Sequence, residues 1–194
     1  MFTGIVEFLG EVKEIKIKEF DRDFIIFHQE DIKLKIGDSI AVNGVCLTVR
    51  ELCDNKFTVS AGYETLKLTN LSKIELNDQV NLECSLSLEK PLGGHLVQGH
   101  IANTSNIISK TNAGESIYFK FSKPLELKNY IVKKGYIAID GMSLTICDEG
   151  KDWFEIMLIP HTLSVTIAKN YKVGSLVNIE VDIFARYMEK LYEK

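Results

Sequence analysis

The chain has 194 residues, a length that fits one domain or two small ones. Its net charge is −4, and no basic run is interleaved with aromatic residues, which argues against a nucleic-acid-binding protein. The apolar runs are too short for a membrane-spanning segment.

The beginning of the chain and its cysteines indicate a cytoplasmic protein. The first residues lack the basic and apolar regions of a signal peptide. The four cysteines form neither a Cys-x-x-Cys pair nor a Cys/His cluster, so the sequence predicts no metal site. Most free cysteines are small buried hydrophobes, and we expect this of Cys53, Cys84 and Cys147.

Short strands separated by turns are predicted along the first half of the chain. Residues 4–18 alternate loosely in hydropathy and indicate one or two strands broken at Gly10. Residues 24–27 indicate another strand, closed by a polar turn at 28–31. Residues 56–60 and 79–83 have strand character, and 64–71 fit either a short helix or an extended turn.

Residues 39–49 carry the strongest local pattern. Asn43-Gly44 between two alternating apolar runs is typical of a two-residue hairpin turn, in which both residues take positive φ. The resulting register puts four apolar residues on one face: Ile40, Val42, Val45 and Leu47. It puts four small residues on the other: Ser39, Ala41, Cys46 and Thr48. A half-buried strand usually carries large polar groups on its outer face, so this small, weakly polar face predicts the floor of a pocket.

The hairpin pattern occurs a second time at residues 136–146, with Asp140-Gly141 at the turn. The offset is 97 residues, the distance from Cys46 to Ser143, and it holds without a gap through the strand at 177–180. A repeat of about half the chain indicates two copies of one domain. Strands at 116–121, 153–159 and 176–181 complete the second copy, and short strands at such spacing predict a small closed barrel or sandwich per copy.

A Pro/Gly-rich break at residues 90–94 marks the domain junction, and good helix formers fill residues 183–194. Phe184, Tyr187 or Met188, and Leu191 form an apolar stripe at helical spacing. A lone helix this short is marginal in water, so the stripe must pack on its own domain or on a neighbouring subunit. We predict a first domain at 1–95, a second at 96–182 and a C-terminal helix at 183–194.

The two copies differ where their side chains are reactive. Four aligned pairs show this: Cys46/Ser143, Glu64/His161, Gly37/Lys134 and Ile5/His100. A repeated site with changed reactive groups predicts two similar ligands that are handled differently. The exchange of Asn43 for Asp140 instead fits turn residues that have drifted at the surface. His95 and His100 are five residues apart and face opposite sides of a strand, which argues against a shared metal.

The chain opens with Met-Phe-Thr-Gly-Ile-Val, and residues 93–100 read Gly-Gly-His-Leu-Val-Gln-Gly-His. Together with the two hairpin motifs, these stretches resemble the alpha-chain type of riboflavin synthase, over essentially the whole chain. The resemblance implies an all-β fold of two six-stranded antiparallel Greek-key barrels and a C-terminal helix that assembles a homotrimer. It implies one 6,7-dimethyl-8-ribityllumazine per barrel, an active site between barrels of different subunits, and association with lumazine synthase.

The implied activity is that of a transferase without cofactor or metal. One lumazine gives a four-carbon unit to another, yielding riboflavin and 5-amino-6-ribitylamino-pyrimidinedione in the last step of riboflavin biosynthesis. The resemblance implies eight catalytic positions: Phe2, Ser39, Cys46, His95, His100, Ser143, Thr145 and Asp182. His100 and Thr145 are expected to move protons at the reacting methyl group. Cys46 or Ser39 is expected to assist addition at the ring carbon.

The resemblance also implies a ligand cradle in each barrel. For the first barrel the expected residues are Gly4, Ile5, Val6, Cys46, Leu47, Thr48, Ser60, Ala61, Gly62, Tyr63, Glu64 and Thr65. For the second they are Gly99, His100, Ile101, Lys134, Ser143, Leu144, Thr145, Met157, Leu158, Ile159, Pro160, His161 and Thr162. Residues 61–63 are less typical of the family, so the ribityl contacts of the first barrel are expected to differ.

Two other functions compete with this interpretation. A non-catalytic lumazine protein, the optical antenna of luminous bacteria, has a similar fold but is expected to lose reactive residues in one or both barrels. This chain keeps Phe2, Ser39, Cys46, His100 and Ser143. A flavin-binding barrel of a reductase predicts an adjoining nucleotide-binding unit with Gly-x-Gly-x-x-Gly, and the chain has neither.

Overall fold

The computed structural model describes residues 1–30 and 32–192. Asp31 of the predicted polar turn and residues 193–194 of the predicted helix lie outside the described residues. The chain forms two closed six-stranded antiparallel barrels followed by a C-terminal helix, which confirms the predicted fold class.

The first barrel closes in the strand order β1-β2-β5-β4-β3-β6. Its strands are β1 (Phe8–Ile17), β2 (Arg22–His28), β3 (Ser39–Val42), β4 (Val45–Cys53), β5 (Lys56–Ala61) and β6 (Gln79–Cys84). A short helix, α1 (Tyr63–Leu68), and a 3₁₀ turn (Asn70–Lys73) connect β5 to β6, so a helix forms within the stretch that fitted either structure.

The second barrel repeats the same pairings in the order β10-β11-β8-β7-β12-β9. Its strands are β7 (Asn103–Ala113), β8 (Ser116–Ser122), β9 (Tyr136–Ile139), β10 (Met142–Glu149), β11 (Trp153–Leu158) and β12 (Leu176–Val181). The remaining elements are a 3₁₀ turn (Leu125–Leu127), α2 (Pro160–Val165), a 3₁₀ turn (Ile167–Asn170) and the C-terminal α3 (Ile183–Tyr192).

Both hairpins form in the predicted register. Val42 pairs with Val45, and the turn residues Asn43 and Gly44 have φ angles of 46° and 76°. In the second hairpin the turn at 140–141 has φ angles of 44° and 81°. The large apolar side chains of each hairpin fill the core of its own barrel, so the small faces are left for contacts outside the barrels.

Two local predictions were wrong. β1 runs through Gly10 without a break, and its irregularity lies between Val12 and Glu14. Gly10 is required by packing, because a Cβ there would lie 2.6 Å from the Ile26 side chain. Cys53 is exposed at the end of β4 and is not a core residue.

A polar network joins the two barrels and corrects the interpretation of Asn43 and Asp140. These turn residues are 3% and 1% exposed, so they are not surface positions. Asn178 Nδ2 donates to the Asn43 carbonyl, and Asn81 Nδ2 donates to the Asp140 carbonyl, each at 2.8 Å. These equivalent bonds relate the barrels by an approximate two-fold axis that passes between the hairpin turns.

The Asp140 carboxylate breaks this symmetry. It accepts hydrogen bonds from the Asn178 backbone N–H at 2.8 Å, from Asn70 Nδ2 at 2.9 Å and from the Tyr171 hydroxyl at 2.5 Å. Burial raises the pKa of Asp140 to about 7, although the three hydrogen bonds lower it. At the position equivalent to Tyr171 the first copy has Ile74, so Asn43 has no matching hydroxyl partner.

The stability of the Asp140→Asn variant is expected to depend less on pH than the stability of the wild type. Between the unfolded pKa near 4 and the folded pKa of about 7, the native state binds the extra proton. The free energy of unfolding therefore falls as pH rises through this window, by at most about 4 kcal/mol from this group. An asparagine cannot ionise, so at about pH 8 the variant should be at least as stable as the wild type.

Urea unfolding at about pH 5 and about pH 8 measures the effect. Asn43→Asp is the matched control, because it places a carboxylate opposite Ile74 and should become less stable at the higher pH. If Asp140→Asn loses as much stability with rising pH as the wild type, Asp140 does not titrate in this window.

Candidate functional site

Two short segments outside the barrels lie between the hairpins. We call residues 2–6 the N-terminal segment and residues 97–101 the linker segment. They pair with each other, because the Phe2 N–H donates to the Val97 carbonyl at 2.7 Å and the Val97 N–H donates back at 3.1 Å. Phe2 and Val97 pack with Ala41 and Ala138 of the hairpins in a small buried cluster.

Each segment covers the hairpin of the other barrel, and not that of the barrel which it directly precedes in the chain. The Gly4 carbonyl accepts the Ser143 N–H at 2.7 Å, and the Gly99 carbonyl accepts the Cys46 N–H at 2.9 Å. Both glycines have positive φ, and a Cβ on either would lie 2.6 Å or less from the Cβ of the hairpin residue. Only glycine therefore fits at these two contacts.

The covered hairpin faces form two separate cradles. The first cradle is a cavity of about 200 Å³ lined by Cys46 on β4, Glu64 and Thr65 on α1, and His100 and Ile101 of the linker segment.

The second cradle has the equivalent construction. It is a cavity of about 130 Å³ lined by Ser143 and Leu144 on β10, His161 and Thr162 on α2, and Ile5 of the N-terminal segment. The two sets of lining residues do not overlap, so these are two sites with one plan.

The assignment of the two segments to the cradles was wrong. Residues 4–6 were expected in the first barrel's cradle and residues 99–101 in the second, and the structure places them the other way round. The reason is the Phe2–Val97 pairing, which carries each segment across the approximate two-fold axis to the opposite hairpin.

Three expected ligand contacts point elsewhere. Leu47, Ala61 and Leu158 are buried in the barrel cores, so their side chains do not face a cradle. The Ser60 hydroxyl is engaged by Asp23 at 2.5 Å and by Arg50 at 2.8 Å. The remaining predicted positions that expose much of their surface are Thr48, Gly62, Tyr63, Lys134, Thr145, Met157, Ile159 and Pro160.

The expected catalytic residues divide between the cradles. Cys46 and His100 lie together in the first. At the second, His95 Nδ1 lies 2.7 Å from the Ser143 hydroxyl, and the imidazole stacks on Tyr136 at 5.1 Å between ring centroids. Burial lowers the pKa of His95, against the opposing charge of Asp182. A neutral His95 therefore orients the Ser143 hydroxyl.

The other three candidates have different surroundings. Phe2 is fully buried, and its side chain packs in the small cluster between the two hairpins. Ser39 pairs with Thr48 beside the first cradle, and Thr145 lies two residues beyond Ser143 on β10. His100 lines the first cradle, whereas Thr145 lies exposed on β10 of the second barrel, so the two residues expected to act together are apart in the single chain.

Phe2→Ala is expected to lower the free energy of unfolding by roughly 3–5 kcal/mol, the range for a buried phenylalanine. The cavity would open between the two hairpins and loosen both segments. Phe20→Ala is the control, because that ring is 63% exposed and should change stability by less than about 0.5 kcal/mol. Equal urea midpoints for the two variants would contradict the anchoring role of Phe2.

Sequence reasoning missed two buried glutamates that hold the segments, Glu83 on β6 and Glu180 on β12. The available pattern was their recurrence at the repeat offset, beside Asn81 and Asn178. A charged residue that occurs in both copies of a buried strand indicates that each copy provides it with an equivalent partner.

Within residues 1–30 and 32–192, no three His, Cys, Asp or Glu side chains are grouped closely enough to hold a metal ion. None of the helices in this described part is both long and apolar enough to cross a membrane.

Comparison with known proteins agrees with the repeat. Residues 3–85 and 98–182 each match the lumazine binding domain family. The chain is 45% identical to riboflavin synthase of Schizosaccharomyces pombe, over 100% of this chain and 94% of that protein. It is 41% identical to riboflavin synthase of Actinobacillus pleuropneumoniae, over 100% and 91%.

Solved structures show the same fold. LumP in complex with riboflavin is similar at a TM-score of 0.86 and 26% identity, over 93% of this chain and 99% of that one. LumP in complex with 6,7-dimethyl-8-(1'-D-ribityl) lumazine is similar at a TM-score of 0.85 and 24% identity, with the same coverage.

Proposed function

The chain belongs to the riboflavin synthase family of lumazine-binding proteins, and we propose that it catalyses the dismutation of 6,7-dimethyl-8-ribityllumazine. One molecule gives a four-carbon unit to a second, so the products are riboflavin and 5-amino-6-ribitylamino-pyrimidinedione. Both products derive from two copies of one substrate, and the reaction therefore balances without an external oxidant or reductant.

The observation that carries this proposal is the pair of equivalent cradles with unequal reactive groups. Each has a small-residue hairpin floor and a glycine-containing segment over it. Two sites of one plan suit two copies of one ligand. Cys46 and His100 in the first cradle, against Ser143 and His95 at the second, suit two different parts in the reaction.

The cradles are also too small to enclose a ligand alone. They measure about 200 and 130 Å³, whereas sites that enclose a drug-sized ligand hold about 300–1,000 Å³. The transfer requires two ligands in contact, yet the two cradles share no lining residue. We therefore place the active site where the first cradle of one subunit faces the second cradle of another.

In this arrangement the protein contributes orientation and proton transfer. Holding two identical ligands face to face makes their reaction effectively unimolecular. His100 takes the proton from the acidic methyl group of one ligand, with Thr145 of the facing subunit beside it. Cys46 or Ser39 assists addition at the ring carbon.

The exposed apolar face of the C-terminal helix supports the homotrimer that we propose. Glu189 ties α3 to its own barrel through Asn129 at 3.1 Å and the Tyr130 hydroxyl. Phe184, Met188 and other apolar side chains of α3 remain more than half exposed in the single chain. We propose that they pack against the helices of two further copies.

Two partner-level proposals rest on the family alone. We propose that the protein works in the cytoplasm. We also propose that it associates with lumazine synthase, the enzyme that makes a lumazine. Co-sedimentation of the two purified proteins tests the association.

A non-catalytic antenna protein is the second candidate, because the LumP structures share the fold. The higher identity to riboflavin synthases favours the enzyme. Incubating the purified protein with the lumazine, in EDTA and without added metal ions, separates the two by absorbance. We expect riboflavin to accumulate, and tight binding without product would instead establish the antenna.

A further inference from the structure

Glu180 binds three consecutive backbone N–H groups of the linker segment. Its side chain is buried on β12, with 4% exposed. Its Oε1 accepts the Gln98 N–H at 2.7 Å, and its Oε2 accepts those of Gly99 at 2.8 Å and His100 at 3.1 Å. Hydrogen bonds to an ionised acceptor are about twice as strong as neutral ones, so this carboxylate fixes the backbone on which His100 stands.

Glu83 does the same for the N-terminal segment, at the equivalent position of the first copy. It is 3% exposed on β6. Its Oε1 accepts the Thr3 N–H at 2.6 Å, its Oε2 accepts the Gly4 N–H at 3.0 Å, and Lys90 Nζ lies 3.3 Å away. The two glutamates thus occupy equivalent positions in the two copies, and each accepts hydrogen bonds from the backbone of one segment.

Both carboxylates act across the barrel boundary. Gly99 gives its N–H to Glu180 of the second barrel and its carbonyl to Cys46 of the first. Gly4 gives its N–H to Glu83 of the first barrel and its carbonyl to Ser143 of the second. Each glycine residue thus connects a carboxylate in one barrel to the cradle floor of the other.

We propose that Glu180 is the positioning residue of the first cradle and Glu83 that of the second, each acting from the opposite barrel. This rests on the proposed function for its effect on turnover, and on the hydrogen bonds alone for its effect on the segments. Misplacing a reacting group by about 1 Å can cost about 10²-fold in rate. A loosened linker segment should therefore slow a reaction that uses His100.

Glu180→Gln and Glu83→Gln form a matched pair, because each keeps the side-chain size and removes the charge and one acceptor. Burial raises the pKa of Glu180 to about 7, against its backbone hydrogen bonds, so the comparison is made at about pH 8 where the carboxylate is ionised. Peptide-resolved hydrogen exchange reports on residues 98–100 and 3–4 separately.

Glu180→Gln should accelerate exchange of the 98–100 amides by roughly tenfold or more and leave residues 3–4 unchanged, and Glu83→Gln should do the reverse. Glu180→Gln should also lower kcat by roughly 10–100-fold. In a His100→Gln background it should cost much less, because residues that act as a unit are not additive. A purely structural role would cost the same factor in both backgrounds.

Unchanged exchange at residues 98–100 in folded Glu180→Gln would overturn the proposal, and so would a fully multiplicative loss with His100→Gln. If Glu180→Gln does not fold, Glu180→Asp retains the charge, retracts the carboxylate and should give an intermediate acceleration of the same amides. A wild-type protein that forms no riboflavin would overturn the proposed function, whereas the exchange pattern would still decide the positioning roles.

Discussion

His100→Gln is expected to lower kcat by roughly 10²–10⁴-fold, the usual contribution of a general acid or base. His100 stands at the exposed edge of the first cradle beside Cys46, and Glu180 holds its backbone N–H at 3.1 Å. Glutamine preserves the size of the side chain and one amide donor, but it cannot exchange a proton near neutral pH. Affinity for the ligand should therefore change little.

Riboflavin formation followed by absorbance gives kcat, and quenching of riboflavin fluorescence gives Kd. His161→Gln is the contrast, because that exposed histidine lines the second cradle on α2 without a predicted part in proton transfer. It should change Kd more than kcat. An unchanged kcat in His100→Gln would remove His100 from the chemical step.

The fold was predictable because the turn residues constrain the backbone directly. Asn43-Gly44 and Asp140-Gly141 require positive φ, so each places a hairpin in one register, and that register forms in both copies. The 97-residue offset then implied that whatever the first half forms, the second half repeats. The choice of a barrel over a sandwich, and the expectation of a trimer, came instead from the family resemblance.

The exchange of segments between barrels was not predictable from the repeat. Gly4 and Gly99 are equivalent whether each covers its own hairpin or the other one, because both arrangements have the same internal symmetry. The deciding contact is the backbone pairing of Phe2 with Val97. Backbone hydrogen bonds between two irregular segments leave no pattern in side-chain types.

The buried polar groups were missed for a related reason. An Asn or Asp at position i+1 of a hairpin turn satisfies the turn whether it is exposed or buried, so Asn43 and Asp140 looked like surface residues. Their burial comes from the opposite barrel. Glu83 and Glu180 bind backbone N–H groups, and such partners are present at every non-proline position of a sequence.

A fragment of residues 1–95 is expected to make no riboflavin, because it lacks both His100 and Ser143. It ends before the linker segment, so one copy leaves the Cys46 N–H without the Gly99 carbonyl that it meets in the whole chain. The N-terminal segment of a second copy can take that place, since Gly4 is the equivalent of Gly99. Ligand binding by the fragment should therefore require self-association and strengthen with protein concentration.

A chain ending at residue 182 tests whether α3 is needed to bring the cradles of two subunits together. It keeps both barrels, both glutamates and both segments, but it loses the exposed apolar side chains of α3. It should bind ligand in each cradle, yet assemble weakly, so its specific activity should rise with protein concentration. Sedimentation, ligand fluorescence and turnover on both truncated chains measure these effects. Product from the 1–95 fragment, or full activity from a monomeric 1–182 chain, would contradict an active site shared between the barrels of two subunits.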